Sequence, residues 1–219
     1  MVAEGSAGRR LVLLRHGRTA WNEVGRAQGH EDIELDRLGH EQAADVAPYI
    51  AALRPAGLWS SDLARARQTA EYVEQATGLA AKLDERLREL DVGARQGMTA
   101  AEFEEAFPVA FAAWADGEDM ARVPGSELAS EVAARLLPAL RECLESLEPG
   151  ETGVVVTHGA CLKVGLVGML GWPLSHTTEL RGMGNCRWAV LAEDEPGGRL
   201  RLEAYDRGAH DLRDASADL

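Results

Sequence analysis

The sequence predicts an α/β fold, a three-layer sandwich in which a mainly parallel sheet carries helices on both faces. Short continuous apolar runs, "RLVLL" (10–14) and the middle of "GETGVVVTHG" (150–159), read as strands covered on both sides, because a half-exposed strand alternates apolar with polar residues. Between such runs lie segments with apolar residues at helical spacing, and the alternation of strand and helix is the order that builds parallel βαβ units. The chain has 219 residues, 46% hydrophobic and 27% charged, which is enough to bury a sizeable core and unlike a disordered composition.

The elements follow in order. "RLVLL" is the first strand, and "GHEQAADVAPYIAAL" (39–53) a helix that Pro48 must kink or begin. "AGLWSS" (56–61) is a second strand, leading into the helix "SDLARARQTAEYVEQATG" (61–78), with Ser61 or Asp62 as its N-cap and Gly78 at its end. "AAKLDERL" (80–87) supplies a third strand. From about 98 to 148 the pattern is helical and acidic, broken by "DGEDMARVPGSE", and reads as a lid-like insertion. "GETGVVVTHG" is a strand, "ACLKVGLVGMLG" (160–171) a helix stopped by Gly171 and Pro173, and "CRWAVLAEDEPGGRLRLEAYD" (186–206) two strands joined through Pro-Gly-Gly. One domain over 1–219 is expected, with tails at 1–9 and about 208–219.

The formal net charge of −13 argues against nucleic acid or an anionic membrane as partner, since both call for a basic face. Cys143, Cys161 and Cys186 are odd in number and contain no C-x-x-C, so neither a disulfide framework nor a zinc knuckle is indicated. With no apolar signal segment and no run near the roughly 20 residues of a membrane span, a soluble, cytoplasmic protein is expected. A homodimer is left open.

In open α/β sheets ligands sit beyond the carboxyl ends of the strands. Arg15 and His16 follow the first strand, Arg65 opens the helix after the second, and His158 follows "VVVT". Two arginines and two histidines from distant segments thus meet at one sheet edge, beside helix N-termini that favour an anion. In so acidic a chain this is a pocket for phosphate. Arg67 fits a solvated helix face better than Arg65 does. His30, His40, His176 and His210 read as surface or packing histidines, and none forms a metal motif. "RGMGNC" (181–186) lacks the third glycine and the strand context of a nucleotide loop.

Residues 15–22, "RHGRTAWN", have the form R-H-G-x-T-x-x-N. With "GRAQGHEDIELDRLGHEQA", "SSDLARARQTA", "LRELDVGARQG" and "VVVTHGACLK" in that order, the chain from about Leu11 to Trp188 resembles the histidine phosphatase superfamily, the phosphoglycerate mutase-like proteins. The resemblance implies His16 as the nucleophile that takes up a phosphoryl group, and Arg15, Arg65 and His158 as the groups that hold its oxygens. It implies Glu89 as proton donor and acceptor, and Asn22, Gln28 and Gly29 as further substrate-binding positions. A competing reading makes Glu89 a surface carboxylate paired with Arg86 or Arg88. The implied reaction needs no metal and no cofactor, acts on a small phosphorylated metabolite and releases inorganic phosphate.

The family's frequent glutamate is Gln96 in "GARQG", and its G-G-E-S segment is shifted to Pro124-Gly125-Ser126-Glu127. Both changes touch the pocket wall and not the phosphate clamp. "RGMGNCRW" and "GARQGMT" are similar to segments of actinobacterial members that include glucosyl-3-phosphoglycerate phosphatases. A phosphatase is favoured over a cofactor-dependent phosphoglycerate mutase, because residues 98–148 carry 11 Asp/Glu against 3 Arg and would repel a bisphosphorylated intermediate. The chain is also short for a mutase of this kind. A non-catalytic relative that only binds phosphorylated ligands is disfavoured by the complete set Arg15, His16, Arg65, Glu89 and His158.

Overall fold

The computed structural model describes residues 7–116, 122–209 and 211, so His210 and most of both expected tails lie outside the described residues. The elements run β1 (Arg10–Arg15), α1 (Ala20–Glu23), α2 (Arg37–Ala52), β2 (Gly57–Ser60), α3 (Ala64–Thr77), β3 (Lys82–Leu83), α4 (Ala100–Ala106), α5 (Pro108–Ala115), α6 (Ala129–Glu145), β4 (Thr152–Thr157), α7 (Gly159–Met169), β5 (Trp188–Glu193) and β6 (Leu200–Arg207). Short 3₁₀ turns at Glu85–Leu87, Gly93–Arg95 and Leu174–Thr178 punctuate the connections.

The six strands form one sheet in the order β3-β2-β4-β1-β5-β6. β3, β2, β4 and β1 are parallel, as the alternating sequence predicts, whereas β5 and β6 run antiparallel at one end. The hairpin around Pro196-Gly197-Gly198 accounts for the β5–β6 pairing, since two adjacent strands joined by a tight turn cannot be parallel.

Alternation along the central strands divides the core into two layers. Leu11 and Leu13 of β1 and Val155 of β4 face α6 and α7, packing with Val132, Leu136, Leu140, Leu162 and Leu166. Val12 and Leu14 with Val154 and Val156 face α2 and α3, packing with Val46, Ile50, Ala66 and Val73. All four apolar residues of β1 are at most 1% exposed, which explains the unbroken apolar run.

Several expectations are corrected. The stretch 98–148 is not one lid: α6 is a core helix that buries Val132, Leu136, Ala139, Leu140 and Cys143 on the sheet. Only α4 and α5, gathered on Phe103 and Val123 with Phe107 and Phe111, form a cluster of their own. The third strand shrinks to Lys82–Leu83, because the Asp84 side chain accepts from the Arg86 N–H and opens a 3₁₀ turn. Pro48 lies in the interior of α2, removing one helical N–H there. Neither Ser61 nor Asp62 caps α3; its N-cap position is Leu63, and the Ala64 N–H donates to Asp32 Oδ1 at 2.6 Å, so the cap comes from a distant loop.

Two glycines bring α2 against the chain after β1. A Cβ on Gly39 would lie 2.0 Å from the Arg18 carbonyl oxygen, and one on Gly17 would lie 2.6 Å from the Gly39 carbonyl oxygen. In an open helix Gly39→Ala would stabilise by about 1 kcal/mol. Here backbone meets backbone and cannot yield, so the substitution is expected to destabilise by about 1–3 kcal/mol, measured as a lower urea midpoint at unchanged m-value. A neutral or stabilising result would show that the contact is slack.

Candidate active site

Each group of the predicted cluster is delivered by the end of a strand or the start of a helix. β1 ends at Arg15, and the His16 N–H still donates to the Thr157 carbonyl at 3.0 Å, extending the β1–β4 ladder one residue. β4 ends at Thr157, and His158 follows at the N-cap position of α7 in extended conformation. Arg65 sits in the first turn of α3 and is 1% exposed, while Arg67, two residues on, faces solvent. The His16 and His158 rings lie 5.2 Å apart between centroids, tilted by 55°.

Hydrogen bonds give the two rings opposite tautomers. His16 Nδ1 lies 2.7 Å from the Gly17 carbonyl, which can only accept, so Nδ1 carries the proton and Nε2 keeps its lone pair. Arg65 Nε, always a donor, points at His158 Nδ1 at 3.2 Å, so that nitrogen accepts and His158 Nε2 carries the proton. Both rings are neutral: burial, the Arg65 and Arg15 charges and, for His158, the neighbouring His16 hold their pKa values well below 6.5. One ring thus offers a nucleophilic lone pair and its neighbour an N–H.

Neutral acceptors hold both guanidinium groups. Arg65 donates to the Glu31 carbonyl at 2.8 Å and the Gly29 carbonyl at 2.9 Å, and Arg15 to the Met183 carbonyl. Burial draws the Arg65 pKa down to about 10 against the opposing charges of Glu89 and Asp32, and lowers that of Arg15 likewise. Arg15 Nε and His158 Nε2 are buried N–H groups without a hydrogen-bond partner. Leaving such donors unpaired costs on the order of 1–3 kcal/mol each, a cost that an anion accepting from them removes.

Glu89 belongs to this cluster and not to a surface ion pair. Arg86 pairs with Asp84 and Glu142, and Arg88 with Asp62. The Glu89 carboxylate instead caps α7, accepting from the N–H groups of Ala160 at 3.2 Å and Cys161 at 3.1 Å. A Cβ on Gly159 would stand 3.5 Å from Arg15 Nε and 3.8 Å from Glu89 Oε2, ordinary contact distances that place both groups beside the first residue of α7.

The remaining expected positions divide. Gly29 has φ +53 and contributes its carbonyl to Arg65, so it acts through that arginine. Gln28 is buried with Oε1 unpartnered. Asn22 closes a capping box with Thr19 at the start of α1, its Oδ1 accepting from the Thr19 N–H at 3.1 Å.

Sequence reasoning missed Asn185, whose Nδ2 donates to the His16 carbonyl at 3.0 Å and to Asn22 Oδ1 at 3.3 Å. It lies in "RGMGNC", which the sequence marks as a poor nucleotide loop and as part of a family-like segment but not as a support for His16; the loop packs its backbone on Arg15 and His16, with the Cys186 N–H on both carbonyls. It also missed Thr69, which accepts from the Gly17 N–H at 3.0 Å. His30, expected as a packing residue, donates from Nε2 to the Glu89 carbonyl at 2.7 Å. Among the described residues no three His, Cys, Asp or Glu side chains gather as a metal cluster. No described helix is long and apolar enough to cross a membrane.

The buried histidines link stability to pH. Unfolded, each ring takes up a proton near 6.5; folded, it does so only well below that value. Their contribution to stability is therefore complete above about 6.5 and is lost as pH falls from there toward the folded values. In phosphate-free buffer the unfolding free energy should decline from pH 7 to 5 by up to about 1.4 kcal/mol per unit for each ring. His158→Gln should roughly halve that slope in urea titrations at several pH values. A flat profile over this window would contradict the neutral, buried assignment.

The family model "Histidine phosphatase superfamily (branch 1)" matches residues 11–205. Glucosyl-3-phosphoglycerate phosphatase of Mycolicibacterium vanbaalenii is 37% identical over 94% of this chain and 98% of its own length. A probable phosphoglycerate mutase of Erwinia tasmaniensis is also 37% identical, over 80% of this chain and 81% of its own. The solved structure of a mycobacterial glucosyl-3-phosphoglycerate phosphatase with inorganic phosphate superposes with a TM-score of 0.82 at 37% identity, covering 92% of this chain and 98% of that one. The chain belongs to the histidine phosphatase superfamily, among its phosphatases acting on phosphate monoesters.

Proposed function

We propose that the enzyme hydrolyses a phosphorylated glycosyl-glycerate or a close relative through a phosphohistidine at His16. The observation that carries this is the tautomer pair: a lone pair on His16 Nε2 beside an unpartnered N–H on His158 Nε2, both buried between Arg15 and Arg65. The His16 lone pair forms a bond to phosphorus as the ester P–O bond breaks, and the departing oxygen takes a proton from Glu89. The Gly17 carbonyl, accepting from Nδ1–H, steadies the positive charge that grows on the ring. Arg15, Arg65 and His158 meet the charge on the three non-bridging oxygens of the transferred group, the main requirement of phosphoryl transfer. Water then attacks phosphorus and gives a proton to Glu89 as the N–P bond breaks, releasing phosphate and restoring neutral His16.

The substrate class rests on similarity along nearly the full length to glucosyl-3-phosphoglycerate phosphatases, against shorter coverage for the probable mutases. The acidity of residues 98–148 supports it less than the sequence suggests, because α6, with three of those carboxylates, is part of the core layer. A reducing compartment such as the cytoplasm suits three free, buried cysteines.

Labelled phosphoenzyme trapped during turnover should be acid-labile and base-stable, and His16→Ala should trap none and lose nearly all activity. Near wild-type rates in that variant would end the proposal. Arg65→Ala or His158→Ala should each lower kcat/KM by roughly 10²–10³, less than additively together. Among glucosyl-3-phosphoglycerate, 3-phosphoglycerate and α-ribazole phosphate, the first should give the highest kcat/KM, and chelators should leave the rate intact. Phosphate return to phosphoglycerate, dependent on 2,3-bisphosphoglycerate, would instead indicate a mutase. Glu89→Gln should slow phosphoenzyme formation from an alkyl phosphate far more than from p-nitrophenyl phosphate, whose leaving group needs no proton.

A further inference from the structure

Glu89 lies in a stretch, Arg88 to Asp91, without helix or strand, so its carbonyls need partners from elsewhere in the fold. Arg135 of α6 supplies two of them and also reaches the Arg86 carbonyl just before the stretch. Its Nη1 donates to the carbonyls of Arg86 at 2.9 Å and Arg88 at 2.8 Å, and its Nη2 to that of Glu89 at 2.9 Å. The same guanidinium forms a two-pronged pair with Glu127, Nε to Oε1 and Nη2 to Oε2, both at 2.8 Å. Glu127 in turn accepts from the Asp91 N–H at 2.8 Å, and its own N–H donates to the Asp91 carbonyl at 2.9 Å.

We propose that Arg135 and Glu127 are positioning residues for Glu89. α6 is anchored on the sheet by its apolar face, so it offers a fixed base from which one rigid, planar fork grips the main chain on both sides of Glu89. Glu127 sets the plane of that fork and ties the far end of the stretch at Asp91. The carboxyl is thereby kept on the Ala160 and Cys161 N–H groups, beside Arg15, and not displaced toward solvent. Lysine cannot replace this arrangement, since a point charge cannot donate to three carbonyls and a carboxylate in one plane.

The inference rests on Glu89 being the proton donor, and the test separates the two. Pre-steady-state phosphoenzyme formation is measured with 3-phosphoglycerate and with p-nitrophenyl phosphate for Glu127→Gln, Arg135→Lys, Glu89→Gln and the doubles with Glu89→Gln. Each positioning variant should slow transfer from 3-phosphoglycerate by about tenfold to a hundredfold, the effect of an ångström-scale displacement, and leave the p-nitrophenyl burst near wild type. In the Glu89→Gln background neither should add much, because both act through the same carboxyl. If Glu89→Gln slows both substrates equally, the proton-donor reading fails and the positioning role with it. If Glu89→Gln is selective for the alkyl ester but the positioning variants slow both substrates alike, or add in full, only the positioning role is overturned. Should Arg135→Lys fail to fold by circular dichroism, Glu127→Gln, which keeps every carbonyl bond of Arg135, decides by the same criteria.

Discussion

Positive charge buried among neutral acceptors is the constraint around which this molecule is arranged. Arg15 and Arg65 are drawn out of water at the sheet edge; Arg15 is held by the Met183 carbonyl with its Nε–H left unpartnered, and Arg65 by two carbonyls and a histidine ring. A carboxylate in direct contact would stabilise such groups more, and would also occupy the place of an anionic ligand. The fold avoids that outcome by placing Glu89 on the α7 N-terminus, near enough for its charge to support both guanidiniums but with its oxygens bound to backbone N–H groups.

The neutral state of the two histidines follows from the same constraint. Burial and two nearby cations disfavour a second proton on either ring. The backbone then decides which nitrogen of each ring is reactive: the Gly17 carbonyl fixes one tautomer and the Arg65 Nε–H the other. The sheet contributes to the chemistry by fixing register, since β1 and β4 are adjacent and parallel and deliver His16 and His158 side by side.

Much of this was legible in the sequence because it depends on side-chain identity at strand ends. The apolar runs of β1 and β4 announced strands buried on both faces, and the residues following them announced the site. What escaped notice depends on contacts between distant segments. The α3 cap comes from Asp32 and not from the neighbouring Ser61 or Asp62, and no local pattern could favour it. α6 looked like part of a lid because it follows an acidic, broken stretch, although its spacing of Val132, Leu136, Ala139 and Leu140 is that of a core helix. Glu89 was ambiguous beside Arg86 and Arg88 until those two were seen to have acidic partners of their own. Asn185, Arg135 and His30 act on main-chain carbonyls, and such roles leave almost no trace in composition or spacing.

The main chain at His16 is held independently of its ring. Its N–H is bound to Thr157, its carbonyl accepts from Asn185 and Cys186, and the next N–H donates to Thr69. On the proposed mechanism, the imidazole is therefore the most dispensable part of the position for architecture and the least dispensable for turnover. On that mechanism, a substitution at this one codon would abolish chemistry while the arginines and the register that present them persist. A folded receptor for phosphorylated ligands would then stand a single substitution away from the enzyme.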